Sequence, residues 1–180
     1  MIEVPIQPLK IDEVAAAKAA VAAFRKKAKR DSAARNPWCE TDAGLWYYPY
    51  YIGTIKTIYP RFMFGPKIIM FYVVCDAIDG TYIVLRNIPQ MQQIECIAER
   101  ILPMALSQKT FVNTMCVEAR DTRVNRQFIF GVPDSEYKGT RMIFLPGYLV
   151  HIYCNTTKMT ECFVNGFTRE VKTVIREESK

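Results

Sequence analysis

Apolar positions recur along this 180-residue chain in two rhythms, and each rhythm predicts a different element. From Ile11 onward, Val14, Ala17, Val21, Phe24 and Ala28 step by three and four, as in a helix with one narrow buried stripe. Asp12 can cap it, and Glu13 suits the positive end of the helix dipole. The stripe is rich in alanine, so this helix can lie close to its neighbour. A second helix is expected to open at Asn87-Ile-Pro89, with Pro89 in the first turn, where its missing N–H costs nothing. Ile94, Ile97, Ala98, Ile101 and Leu102 would form its buried stripe, and Pro103 would end or kink it. Between the two helices lie an aromatic strand over 45–57 and a strand Lys67–Asp76 that is apolar on both faces. A strand of that second kind belongs near the middle of a sheet. Asp79-Gly80 turns it into Thr81–Arg86.

The aromatic stretch is said twice. With Pro49 placed on Pro146, Tyr47 meets Phe144, Tyr51 meets Tyr148, Ile52 meets Leu149 and Ile55 meets Ile152. Downstream stand Asp79-Gly80 and Asn165-Gly166, both signals for a type I′ hairpin turn. The pattern predicts an α+β fold of two pseudo-repeated units, each one helix packed on a three- to four-stranded antiparallel sheet. Residues 1–10, with Pro5 and Pro8, read as an extended arm; 11–88 form the first unit and 89–180 the second, with the two able to join as one compact domain. Residues 31–43 read as a connection broken at Asn36-Pro37. Residues 109–140 have no counterpart in the first unit; they hold a strand at Gln127–Val132 and a loop at Pro133–Gly139. A hairpin between Cys154 and Cys162 and a last strand to about Arg176 complete the second unit. Because proline removes a ladder donor, the strands marked by Pro49 and Pro146 are expected at or near sheet edges. In the first strand Tyr51, Gly53 and Ile55 share one face, and Tyr148, Val150 and Ile152 match them in the second.

Half the residues are apolar, which excludes general disorder. The longest apolar run, Ile68–Cys75, is far short of the roughly 20 residues of a membrane helix. The N-terminus shows no basic segment leading into an apolar core, so no secretory signal is read and a cytoplasmic protein is expected. Charge is uneven. Arg25, Lys26, Lys27, Lys29, Arg30 and Arg35 stand against the single Asp31, so five of the six net positive charges fall in one short segment. The plain reading is a solvated helix end, where the dipole favours cations. The functional one is an anion-binding patch for nucleic acid or an anionic membrane surface, with Trp38 and Trp46 nearby to stack on bases or sit at an interface.

No catalytic or metal residue is assigned, and no cofactor is expected. There is one histidine, His151, and no HExxH, P-loop, GxGxxG or GxSxG. A nucleophilic cysteine would have to use His151, with Cys154 or Cys162 as the nearby thiols. The six cysteines lack CxxC spacing and read as free thiols. The aromatic crowd is more informative. Trp46, Tyr47, Tyr48, Tyr50, Tyr51, Tyr59, Phe62 and Phe64 lie within twenty residues, more than one strand face can bury. The loop 57–66 carries Tyr, Phe, Met and Phe around Arg61. Tyr50, Tyr59, Phe62, Met63 and Phe64 are therefore the expected binding surface for a protein or peptide partner, a second copy of the chain, or a small apolar ligand. The bland alternative is a loop that folds back to cap a short core.

The segment Val74-Cys-Asp-Ala-Ile-Asp-Gly-Thr-Tyr-Ile-Val84 is similar to the strand–turn–strand of PepSY-type repeats, which often reads Val-Asp-Ala-x-Thr-Gly. A helix followed by a short antiparallel sheet, twice, resembles tandem cystatin-like or PepSY-type units. That resemblance implies a non-catalytic module that inhibits, chaperones or binds.

Overall fold

The computed structural model describes residues 1–30, 39–61, 63–128, 133–154 and 159–174. Six strands form one antiparallel-rich sheet in the order β4-β3-β2-β6-β7-β8: β2 is Cys39–Tyr59, β3 Lys67–Asp76, β4 Tyr82–Leu85, β6 Asp134–Cys154, β7 Met159–Asn165 and β8 Val171–Val174. The extended arm supplies β1 (Ile2–Pro5), which pairs antiparallel with β5 (Met91–Ile94) in a separate two-stranded sheet. Arg141 Nη1 anchors the arm to Glu3 Oε1 at 2.6 Å. Helix α1 spans Glu13–Arg30, and its cap is the expected one: the Ala15 N–H donates to Asp12 Oδ1 at 2.7 Å.

The expected pair of helix-plus-sheet units is overturned. All six strands belong to one mostly antiparallel sheet, in place of two sheets each carrying its own helix. The chain divides instead into two compact units interleaved in sequence. One comprises Met1–Ile6, Pro49–Cys96 and Pro103–Phe144; the other comprises Gln7–Tyr48, Ile97–Leu102 and Leu145–Lys180.

The second helix is also misplaced by periodicity. Residues 91–94 are strand β5, Ala98–Arg100 is one 3₁₀ turn, and Ile97 is 63% exposed. A continuous helical segment runs over 108–127 instead, alternating α (Gln108–Thr110, Val117–Ala119) with π (Phe111–Cys116, Arg120–Val124) and ending in a 3₁₀ turn. Its Ser107 cap accepts from the Thr110 N–H at 3.1 Å. On α1 the buried residues are Ala16 and Ala20, while Val14 is 61% exposed. The α1 stripe is thus turned away from the expected line, toward the smallest side chains. β2 starts at Cys39, inside the expected connection, and β6 starts at Asp134, inside the expected loop. The strand expected at Gln127–Val132 falls mostly outside the described residues, as does the Asn155–Lys158 turn.

The two proline-marked strands are the central pair of the sheet, not its edges. The β3 ladder begins at Tyr50, directly after Pro49, and the β7 ladder begins at Gly147, directly after Pro146. Each proline therefore stands one residue outside its outer ladder. Each still accepts one bond, from the Ala77 N–H to the Pro49 carbonyl and from the Gly166 N–H to the Pro146 carbonyl, both at 3.2 Å.

The turns beyond are not the two-residue hairpins expected from Asp79-Gly80 and Asn165-Gly166. They are longer and alike. Asp76 Oδ1 accepts from the N–H groups of Ile78 (2.9 Å) and Asp79 (3.1 Å); Asn165 Oδ1 accepts from Phe167 (2.8 Å) and Thr168 (3.1 Å). Four residues after each, the chain takes positive φ, at Gly80 (77°) and at Arg169 (63°).

The core of the first unit packs Tyr51, Ile55, Phe71, Val73 and Cys75 against Phe111, Cys116, Ala119 and Val124 of the 108–127 segment. In the second unit Ile11, Ala16 and Ala20 pack on Val150, Ile152, Cys162 and Val164. The faces predicted to match, Tyr51 with Ile55 and Val150 with Ile152, are the faces turned to the helices. Among the described residues no helix is long and apolar enough to cross a membrane.

Candidate functional site

The expected binding residues separate into packed and exposed ones. Tyr59 ends β2 half-buried, with its ring stacked on Phe128 at a centroid distance of 4.7 Å, so it is packed and not open to solvent. Tyr50 is half-buried and opens the β3 ladder opposite Asp76. Phe62 lies outside the described residues. Met63 and Phe64 are open, at 81% and 71% exposure, and Ile68 of β3 is exposed as well. Arg61 holds the loop from within: its Nε donates to the Gly65 carbonyl at 3.2 Å, and its guanidinium lies 5.6 Å from the Phe64 ring centroid. That cation–π contact fixes one face of Phe64 without burying the ring. The loop does not cap a core through Met63 or Phe64, which overturns the bland alternative for these two residues.

The basic segment is only partly described. Arg25, Lys26 and Lys27 are exposed on the last turns of α1; the side chains of Lys29 and Arg30, and all of Arg35, lie outside the described residues. A shallow groove of about 380 Å³ runs beside this helix, lined by Val14, Val21, Lys18, Arg25 and Thr41.

His151 does not meet Cys162. In the β6–β7 ladder His151 pairs with Glu161, and Cys162 pairs with Val150. Neighbouring strand residues point to opposite faces, so the imidazole and the Cys162 thiol are on different sides of the sheet. His151 Nδ1 lies 3.3 Å from Glu161 Oε1. The side chain of Cys154 is outside the described residues.

The buried thiols are held neutral. Burial, and then the nearby Asp76 and Asp79 carboxylates, push Cys75 up to about 11. Burial and then Cys75 push Cys116 up to about 12. Such groups are poor nucleophiles near neutral pH. Among the described residues no group of histidine, cysteine and carboxylate side chains is placed to hold a metal ion.

One concave feature escaped the sequence reading. A groove of about 500 Å³ opens between β4 and the end of the 108–127 segment, lined by Tyr82, Val84, Thr122, Arg123, Arg126 and Gln127. Arg86, just past β4, donates from Nη2 to Gln127 Oε1 at 2.9 Å. Three arginines scattered over forty residues carry no spacing signal, so only the fold reveals them as neighbours.

No protein-family model matches the chain, and neither the curated proteins nor the solved structures searched contain a match.

Proposed function

We propose that this chain is a non-enzymatic interaction module that binds a protein partner, a second copy of itself included, through the loop between β2 and β3. One observation carries the reading: Met63 and Phe64 stand side by side at the loop tip, both more than two-thirds exposed. Adjacent exposed apolar side chains of this size mark interaction sites on otherwise polar surfaces. Arg61, 5.6 Å from the Phe64 ring centroid, adds a cation beside these side chains, so the partner's matching surface would be apolar with a carboxylate near it. Strand addition at the aromatic strands is not part of this reading, because β2 and β6 are flanked on both sides. The reduced, buried thiols Cys75, Cys116 and Cys162 support a reducing, cytoplasmic setting.

The test compares affinity capture by the parent and by Met63→Ser with Phe64→Ser. A discrete partner retained by the parent and lost by the variant supports the reading; equal capture by both removes it.

The exposed Arg25, Lys26 and Lys27 favour a second reading, binding to nucleic acid or an anionic membrane surface through the end of α1. Its signature is affinity that falls steeply with salt. No binding to DNA, RNA or anionic vesicles at low ionic strength would dismiss it.

A further inference from the structure

We infer that the groove between β4 and the 108–127 segment takes an extended acidic peptide from a partner chain, added to β4 as one more strand. Three independent observations meet there.

The first is topological. β4 is the last strand at its end of the six-stranded sheet, only four residues long, with Ile83 exposed. An end strand presents unpaired backbone groups, which an extended peptide can satisfy with ladder hydrogen bonds.

The second is the wall opposite. A peptide added to β4 would run with alternate side chains facing the helix. Thr122, Arg123 and Arg126 line that wall. Thr122 and Arg123 lie on the second π stretch, Arg120–Val124, and Arg126 in the 3₁₀ turn that follows it; π turns recur at functional sites.

The third is charge. The ion pairs among the described residues engage the cations Arg120, Lys138 and Arg141, and none engages Arg86, Arg123 or Arg126. All three of these are exposed. Two carboxylates lie on the same helical segment: Asp121 is paired with Arg120, and Glu118 neighbours Tyr82 and helps hold its hydroxyl protonated. A groove lined by the guanidinium groups of Arg123 and Arg126, with Arg86 bonded to Gln127 of its wall and stacked over Phe71, favours an anionic occupant. Guanidinium groups grip carboxylates with two parallel hydrogen bonds, which fixes a side chain's position as well as its charge. The groove's place along the free edge of β4 selects a peptide, with its acidic residues at alternate positions, over a compact anion.

The inference rests on different residues from the loop proposal and stands or falls separately. The probe is a fluorescein-labelled octapeptide of alternating Glu and Val, titrated with the whole chain and followed by anisotropy. Saturable binding is expected, weakened at least ten-fold by Arg123→Gln with Arg126→Gln and by replacing every Glu of the peptide with Gln. A peptide N-methylated at alternate residues, which keeps its charge and loses ladder donors, should also bind at least ten-fold more weakly. Equal binding of the methylated peptide would overturn strand addition. Inorganic phosphate competing as well as the peptide, at equal charge, would show a free-anion site instead and overturn the peptide assignment. No saturable binding by a variant-sensitive site would overturn it outright. The arginines are exposed, so the substitutions should leave the melting temperature in place.

Discussion

Ala77 and Pro49 share one hydrogen bond where a strand pair would exchange two. The Ala77 N–H donates to the Pro49 carbonyl, but Pro49 has no N–H to return. The Ala77 carbonyl accepts instead from the N–H groups of Ala105 (3.0 Å) and Leu106 (2.9 Å), just before the Ser107 helix cap. The same device recurs at Pro146: the Gly166 carbonyl accepts from the Lys10 N–H at 2.9 Å, just before the Asp12 cap. In each case the proline leaves a carbonyl open, and the segment leading into a helix takes it. Pro49→Ala should therefore cost about 0.5–1 kcal/mol, through a freer unfolded chain and a competing donor. It should also speed hydrogen exchange at Ala105 and Leu106. Urea unfolding and amide exchange measure the two; unchanged exchange at both amides would contradict this role.

Gly53 is fixed by what lies over it. A Cβ there would come 2.5 Å from Cys116 Sγ and 3.1 Å from the Phe111 ring. Gly53→Ala should destabilise by about 1–3 kcal/mol, the usual range for overpacking a core. Adding Cys116→Ala should restore part of that loss, since it removes the nearest atom. A double-mutant cycle in urea reads the coupling; strictly additive costs would contradict it.

Arg169 holds positive φ at the position where the matching turn has Gly80. Left-handed backbone costs a residue with a Cβ roughly 1–2 kcal/mol. Arg169→Gly should therefore raise stability by up to about 1 kcal/mol after the glycine's larger unfolded-state entropy is counted. Gly80→Ala should lower it by a similar amount. Melting curves of the two variants should shift in opposite directions.

The buried thiols make stability fall at alkaline pH. Both have folded values raised above the ordinary 9.0, to about 11 and about 12. The folded state thus holds its protons longer than the unfolded chain does. Their contribution is complete below about pH 9 and is lost as pH rises through the folded values. The urea midpoint should decline from pH 8.5 to 10.5, and Cys75→Ala with Cys116→Ala should flatten that decline. Iodoacetamide near neutral pH should modify Cys39 and Cys96, which are half-buried, ahead of Cys75, Cys116 and Cys162.

Local signals were legible in this chain. The Asp12 cap, the β3 bounds and the two helix-facing strand surfaces follow from side-chain spacing. What spacing could not show depends on distant partners. Ile94 and Ile101 step like a helix, yet 91–94 is strand because the N-terminal arm pairs with it. The real second helix buries Phe111, Cys116, Ala119 and Val124, a spacing dominated by fives that matches π turns and neither of the ordinary periods. The prolines pointed to sheet edges because their missing N–H was counted against the ladder; one residue's offset places them at its end. Within the loop, composition could not separate Tyr59, which packs on Phe128, from Met63 and Phe64, which face solvent.

The loop is the centre of the account, and one comparison tests it most directly. Met63→Ser with Phe64→Ser is measured beside the parent by light scattering and by thermal melting. The account predicts a melting temperature within a degree or two of the parent, because neither side chain is buried. It also predicts loss of whatever self-association or partner binding the parent shows. A variant destabilised by several kcal/mol, on the scale of phenylalanine truncation in a core, made from a parent that is monomeric and binds nothing through this loop, would contradict it.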